Sequence, residues 1–276
     1  MSILIDSFTL VGPNGDLATD IHRVPSGVDS KGTIVFAHGY KGFKDWGAWH
    51  VLGDVFAEAG WEFIRFNFSH NGHLSSDVMN CSDEAAWSRN TYSIEKSDLV
   101  FMLSQYSSLF TQNEKLIVMG HSRGGGIAAL AASKIFVDIV VLLGSVSDFG
   151  SRFPKGPELI KWEQSNVLKV LNARTGRTLI HPYSFYEDFI VNRASLDIES
   201  AIRSQNCPVL VIHGEDDKAV PTSEGRQTAS WAPRGEYAEV SNTGHTFDTS
   251  HPWSNSELPR GARAIVDTTI EFADRF

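Results

Sequence analysis

Cysteine is scarce: Cys81 and Cys207 are the only two, and they lie far apart. A chain stapled by disulfides carries more of them, in paired spacings, so the sequence predicts free thiols in a reducing compartment. Positive charge is outnumbered, with 24 Lys and Arg against 33 Asp and Glu and a net charge of −9. Nucleic-acid binding needs a basic face, which this balance argues against. The first residues, Met1-Ser2-Ile3-Leu4-Ile5-Asp6, lack the basic stretch and long apolar run of a secretory leader. No apolar run approaches the roughly 18 residues that a membrane helix requires. A cytoplasmic protein with no membrane partner is therefore expected. Repeats and low-complexity tracts are missing as well. No cluster of Cys, His and carboxylates calls for a metal, and His70 and His73, which share a loop, have no such support. No cofactor is expected.

What remains is a chain of 276 residues, 42% hydrophobic and 21% charged, with ample apolar material for one large core. Short apolar runs alternate with longer amphipathic ones, the pattern of an α/β domain with a mostly parallel sheet. The predicted strands are Ile3–Leu10 and Ile21–Val24, a hairpin through Gly12-Pro13-Asn14-Gly15, followed by Thr33–Ala37, Phe63–Phe68, Leu116–Met119, Ile139–Leu143, Val209–Ile212 and Tyr237–Val240. Runs that are apolar throughout suit strands covered on both faces. Helices are predicted over Trp46–Ala59, Tyr92–Leu109, Gly124–Ser133 and Ala262–Phe276. The whole chain, 1–276, reads as one domain. One segment breaks the rhythm: Val146–Ser200 is far longer than an ordinary connection between strands six and seven. It holds Pro154, Pro157 and Pro182 and many aromatics, and reads as an inserted cap over residues 146–200.

The strongest chemical signal is Gly120-His121-Ser122-Arg123-Gly124, directly after an apolar strand and before a helix rich in small residues. G-x-S-x-G in that setting is a nucleophile elbow. A sharp turn lifts the serine hydroxyl above the strand ends, and glycines remove side chains that would clash within it. The helix that follows points its amino terminus at the place where an oxyanion forms.

A hydroxyl needs a base at neutral pH. His245, in a loop after the last predicted strand, is the candidate; His38, His121 and His213 have local structural readings. The base needs a carboxylate to hold its tautomer. Asp217, in His213-Gly214-Glu215-Asp216-Asp217, is the first choice, with Asp216 beside it and Asp148 past strand six as alternatives. The chain order Ser, Asp, His is the one used on α/β sheets with a nucleophile elbow. For the oxyanion, the backbone amides of Arg123 and of Tyr40, in His38-Gly39-Tyr40-Lys41-Gly42, are the expected donors.

Together these residues resemble the α/β-hydrolase family over nearly the whole chain. They are most similar to small bacterial esterases of the cinnamoyl/feruloyl-esterase and dienelactone-hydrolase-like kind, which carry H-G-x-x-G, R-F-x-x-x-x-x-G, G-H-S-x-G and H-G-x-x-D-x-x-V-P. Here the second motif reads Arg65-Phe66-Asn67-Phe68-Ser69-His70-Asn71-Gly72, with Asn67 where that group usually has an aspartate. The resemblance implies an α/β-hydrolase fold: a mostly parallel, eight-stranded sheet flanked by helices, with a small cap between strands six and seven. It also implies hydrolysis of a small carboxylic ester, such as an aryl or hydroxycinnamoyl ester, by serine catalysis through an acyl-enzyme.

Thioester and amide hydrolysis use the same triad and stay open as alternatives, as does a non-catalytic binding module, although no triad member is missing. The β-propeller of the prolyl oligopeptidases has no room in this chain. Ser122 at the elbow argues against an aspartate nucleophile, as in epoxide hydrolases. Phe149, Phe153, Trp162, Tyr183 and Phe185 of the cap are the expected substrate-binding residues. Six basic residues (Arg152, Lys155, Lys161, Lys169, Arg174, Arg177) against Glu158 and Glu163 read as a solvated face, or alternatively as an anion-tolerant entrance. The expected partner is a small-molecule ester; the oligomeric state is not assigned.

Overall fold

The computed structural model describes residues 3–74, 77, 80–107, 114–172 and 176–276. Ten strands and nine helices are described, in the order β1 (Ile5–Val11), β2 (Asp16–His22), β3 (Gly32–Ala37), α1 (Trp49–Glu58), β4 (Trp61–Phe66), α2 (Glu84–Arg89), α3 (Tyr92–Ser107), β5 (Lys115–His121), α4 (Arg123–Ala132), β6 (Ile139–Leu143), α5 (Pro157–Ser165), β7 (Leu168–Asn172), β8 (Arg177–His181), α6 (Ser184–Val191), α7 (Ile198–Arg203), β9 (Val209–Gly214), α8 (Thr222–Trp231), β10 (Gly235–Val240) and α9 (Arg260–Ala273). Eight strands form one sheet in the order β1-β2-β4-β3-β5-β6-β9-β10. The β1–β2 and β2–β4 pairs are antiparallel, and the other pairs are parallel.

Side chains alternate across the pleat, so each central strand feeds two cores. Val35 and Ala37 of β3 join the layer containing α3 and α4, while Ile34 and Phe36 face α1 and α9. Burial on both faces is why these strands read as unbroken apolar runs. Helix α4 is buried along its whole length, which its run of Gly and Ala permits.

The first hairpin differs from the sequence expectation. β2 begins at Asp16, directly after the turn closed by Gly12 N–H to Gly15 O (2.9 Å), and pairs Asp16 with Val11. Its polar Asp16, Thr19 and Asp20 hide a strand that the apolar pattern places several residues later. The helix predicted from Trp46 starts at Trp49, and the end of Tyr92–Leu109 at Leu109 lies outside the described residues.

Between β6 and β9 the chain builds a short 3-10 turn (Gly150–Arg152), α5, the antiparallel hairpin β7–β8, and α6. Its interior is aromatic: Phe153 lies 5.1 Å from Phe185 and 5.1 Å from Phe189 between ring centroids. β8 packs on α2 and α6 on α3, whereas α7 packs on α4 and α8 within the main helical layer.

Candidate active site

Ser122 sits between β5 and α4 with φ 56° and ψ −120°, a backbone conformation that L-residues rarely adopt. The glycines around it make that turn possible. A Cβ on Gly120 would fall 2.2 Å from the Gly124 carbonyl oxygen, and one on Gly124 would fall 2.4 Å from the carbonyl oxygens of Ala37 and His38. The Ser122 amide donates to Leu143 O (2.8 Å), anchoring the elbow to β6.

The loops after β9 and β10 carry the other two groups. His245 Nε2 lies 3.0 Å from Ser122 Oγ, and its Nδ1 lies 2.7 Å from Asp217 Oδ2. Burial works to raise the Asp217 pKa, but hydrogen bonds from His213, His245 and the Val220 amide outweigh it and hold the carboxyl well below the usual range. The carboxylate can only accept, so His245 Nδ1 donates and Nε2 is left to accept the serine proton. Such a chain can deprotonate a hydroxyl as it attacks. Asp217 Oδ1 takes the amides of Ala219 (2.8 Å) and Val220 (2.9 Å). Asp216 is exposed, and Asp148 accepts the amides of Gly150 and Ser151.

Several supporting groups escaped the sequence reading. His213 Nε2 is 3.2 Å from Asp217 Oδ2, so the carboxylate faces two imidazoles. Gly144, at φ 49°, passes beneath the Asp217–His245 bond, where a Cβ would lie 3.2 Å from Asp217 Oδ2. His121 Nε2 donates to His245 O (2.9 Å), and burial lowers its pKa to about 3, so it supports His245 as a neutral ring. Burial likewise holds His38 at about 3; it donates from Nδ1 to Gly39 O and packs on Phe68. His70 bonds Ser69 and His73 stacks on Phe43; no group of three or more potential metal ligands occurs among the described residues.

The loop after β3 runs against Ser122, since a Cβ on Gly39 would come 3.1 Å from Ser122 Cβ. That brings Tyr40 beside Ser122. Arg123 heads α4, where first-turn amides have no partner within the helix. Asn67 Oδ1 accepts the Lys44 amide (2.8 Å) and Arg65 bonds Lys44 O (3.1 Å), so the Arg65–Gly72 motif braces this loop.

Ser122 opens onto two lobes that share Tyr40. One, of about 320 Å³, is lined by Phe149, Phe153 and Phe185, with Val146, Leu168, Val170 and Val220, and by Arg123 and His181. The other, of about 220 Å³, is lined by Trp46, Trp49, Asn172 and His245. Trp162 and Tyr183, expected to bind substrate, line neither lobe. Trp162 is buried, donates Nε1–H to His181 O (2.9 Å) and stacks against Phe153, and Tyr183 packs edge-on against Trp162. Trp162 joins Phe153, Phe185 and Phe189 in the interior of the segment, and Tyr183 packs against it half-buried.

The Arg123 side chain was not foreseen. It is buried, donates to Glu95 Oε1 (3.2 Å), and lies 4.5 Å from the Tyr40 ring centroid and 4.6 Å from that of Tyr92. Burial raises the Glu95 pKa, against the pull of Arg123. Of the cap's basic residues, Arg152 pairs with Glu224 and Arg177 with Glu84, while Arg174 lies outside the described residues. A larger cleft of about 610 Å³, beside Cys207, lies at the amino-terminal ends of β5, β6 and β9, the opposite strand ends from Ser122. Burial pushes the Cys207 thiol up to about 11.

Fold and site define an α/β protein with a sharp strand-to-helix turn at Ser122 and a Ser–His–Asp hydrogen-bond chain. The protein belongs to the alpha/beta hydrolase family, whose model matches residues 34–255. The uncharacterized hydrolase YugF of Bacillus subtilis (strain 168) is 27% identical over an alignment of 175 residues that covers 53% of this chain; the chain spans 64% of the length of that relative. Est1E of Butyrivibrio proteoclasticus, solved with ferulic acid bound, superposes with a TM-score of 0.72 at 17% identity, covering 96% of this chain and 98% of that one. A dienelactone hydrolase from Anabaena variabilis ATCC 29413 gives a TM-score of 0.64 at 16% identity, covering 100% and 99%. At these identities the structural likeness is one of fold. No described helix is long and apolar enough to cross a membrane.

Proposed function

We propose that the protein is a serine hydrolase that cleaves small carboxylic esters through an acyl-enzyme. The observation that carries this is the run from Ser122 Oγ through His245 to Asp217, at 3.0 and 2.7 Å, beside an apolar lobe of about 320 Å³. Ser122 Oγ attacks the ester carbonyl while its proton passes to His245 Nε2. The oxyanion takes hydrogen bonds from the amides of Tyr40 and Arg123. Collapse breaks the bond to the alkoxy group, and the departing oxygen takes the proton from His245. Water then attacks the acyl-Ser122 ester, giving its proton to the same nitrogen, and the acid departs as Ser122 regains its hydrogen.

Proton delivery fixes the direction of binding. The leaving oxygen must face His245, so the alcohol occupies the lobe that His245 lines, and the acyl group occupies the lobe under Phe149, Phe153 and Phe185. The segment between β6 and β9 thus selects the acyl group. Its aromatic walls suit an aryl acyl group, and the ferulic acid bound to Est1E supports that reading.

A fluorophosphonate probe should label the wild-type protein and leave Ser122→Ala unlabelled. The variant should keep only the residual catalysis of binding and oxyanion donors, on the order of 10³–10⁴ over water. An unlabelled wild type, or a variant that hydrolyses p-nitrophenyl esters at the wild-type rate, overturns the proposal.

A further inference from the structure

Among the described residues two imidazoles near the site keep one buried ring nitrogen without a partner, His213 beside Asp217 and His181, and of the two His181 lines the acyl lobe. This residue ends β8, is 1% exposed and lines the acyl lobe. Its Nε2 lies 2.9 Å from the Tyr40 hydroxyl, whereas its Nδ1 is buried with no hydrogen-bond partner among the described residues. Burial, reinforced by the Arg123 cation, keeps the ring neutral, with a pKa of about 3. Burial also pushes the Tyr40 phenol up, so it keeps its proton. The phenol hydrogen has no other acceptor among the described residues, so Tyr40 is assigned as donor to Nε2. A neutral ring that accepts at Nε2 carries its hydrogen at Nδ1. His181, which lines the lobe, therefore carries a buried N–H donor with no acceptor among the described residues, a group that costs free energy until something supplies one.

The surrounding polar groups narrow the choice. The Arg123 guanidinium lines the same lobe, as does Arg152, so its charged side chains are donors. An acyl group bearing a hydrogen-bond donor would meet donors here, whereas one bearing an acceptor oxygen would complete the wall. Around the ring the lobe is otherwise apolar, with Phe185 4.7 Å from the His181 centroid.

We propose that His181, held in one tautomer by Tyr40, is a specificity-determining residue that selects acyl groups carrying an acceptor oxygen, such as a keto or ether oxygen, away from the ester carbonyl. This rests on the serine-hydrolase reading and names the substrate class of that same site.

The test uses straight-chain p-nitrophenyl esters and keto analogues in which the oxygen is walked along the chain, compared by kcat/KM. The wild type should favour one keto position over the matching alkyl ester by about tenfold, the worth of one well-made neutral hydrogen bond. His181→Phe, which keeps a planar ring and removes the donor, should abolish that preference. His181→Asn, whose amide can present a donor near the same place, should restore part of it. A wild type with no keto preference at any position overturns the proposal, as does a folded His181→Phe that keeps the preference; a water satisfying Nδ1 would give the first result. If His181→Phe does not fold, the wild-type series and His181→Asn decide, since a preference that ignores the residue persists undiminished in the latter. Fluorophosphonate labelling separates the two readings. Labelled Ser122 with a flat series sinks only the role of His181, and an unlabelled Ser122 sinks the hydrolase reading with it.

Discussion

Replacing Asp217 by Asn changes one heavy atom, an oxygen to an amide nitrogen, and tests the whole chain of proton transfer. Asp217 Oδ1 accepts the amides of Ala219 and Val220, while Oδ2 faces His245 Nδ1 at 2.7 Å and His213 Nε2 at 3.2 Å. An asparagine must keep its oxygen on the two amides, because turning its NH₂ toward them sets donors against donors. The NH₂ then faces His245, which must accept at Nδ1 and carry its proton on Nε2. In that tautomer Nε2 cannot take the proton from Ser122. The precedent for a wrong tautomer in a serine triad is a loss of about 10⁴ in kcat, equivalent to about 5 kcal/mol of barrier. The substitution is nearly isosteric, so the fold should survive. The assay is steady-state hydrolysis of a p-nitrophenyl ester alongside the rate of fluorophosphonate labelling. Asp216→Asn is the control, because Asp216 is exposed; its kcat should stay within about threefold of wild type. An Asp217→Asn enzyme that keeps more than about a tenth of its kcat, or an Asp216→Asn enzyme that falls as far, refutes the reasoning.

Gly124→Ala should destabilise the protein by about 3 kcal/mol or more, because its Cβ would meet backbone oxygens of Ala37 and His38 at 2.4 Å. Gly244→Ala, whose nearest neighbour would be Asp216 O at 3.8 Å, should shift the urea midpoint far less. On acidification, His38, His121 and His181, each lowered to about 3, resist protons that the unfolded chain takes up from pH about 6.5 downward. Their stabilisation is full above that value and is lost as the pH falls toward about 3, so Tm should drop across this window; a Tm unchanged down to pH about 4 contradicts it. The Asp217 contribution, from a carboxyl depressed by its hydrogen bonds, is full above the unfolded carboxylate value of about 3.9 and fades only below it.

By itself the sequence determined what short-range physics controls. A turn as tight as the one at Ser122 admits only glycine at positions such as 120 and 124, so the elbow is written in adjacent letters. Strands covered on both faces must be apolar throughout, which marked β3, β5, β6 and β9. The positions of Ser122, Asp217 and His245 follow from the strand ends they succeed. Tertiary structure decided what depends on distant segments meeting. Tyr40 and His181 are 141 residues apart, and Arg123 and Glu95 are 28 apart, so no local pattern announces either pair. Trp162 turned inward because its indole N–H found the carbonyl of His181, and an aromatic run reads the same whether it lines a pocket or fills a core. Only folding could show that His245 lines one lobe and not the other, because a lobe is the space left between side chains that separate strands bring together.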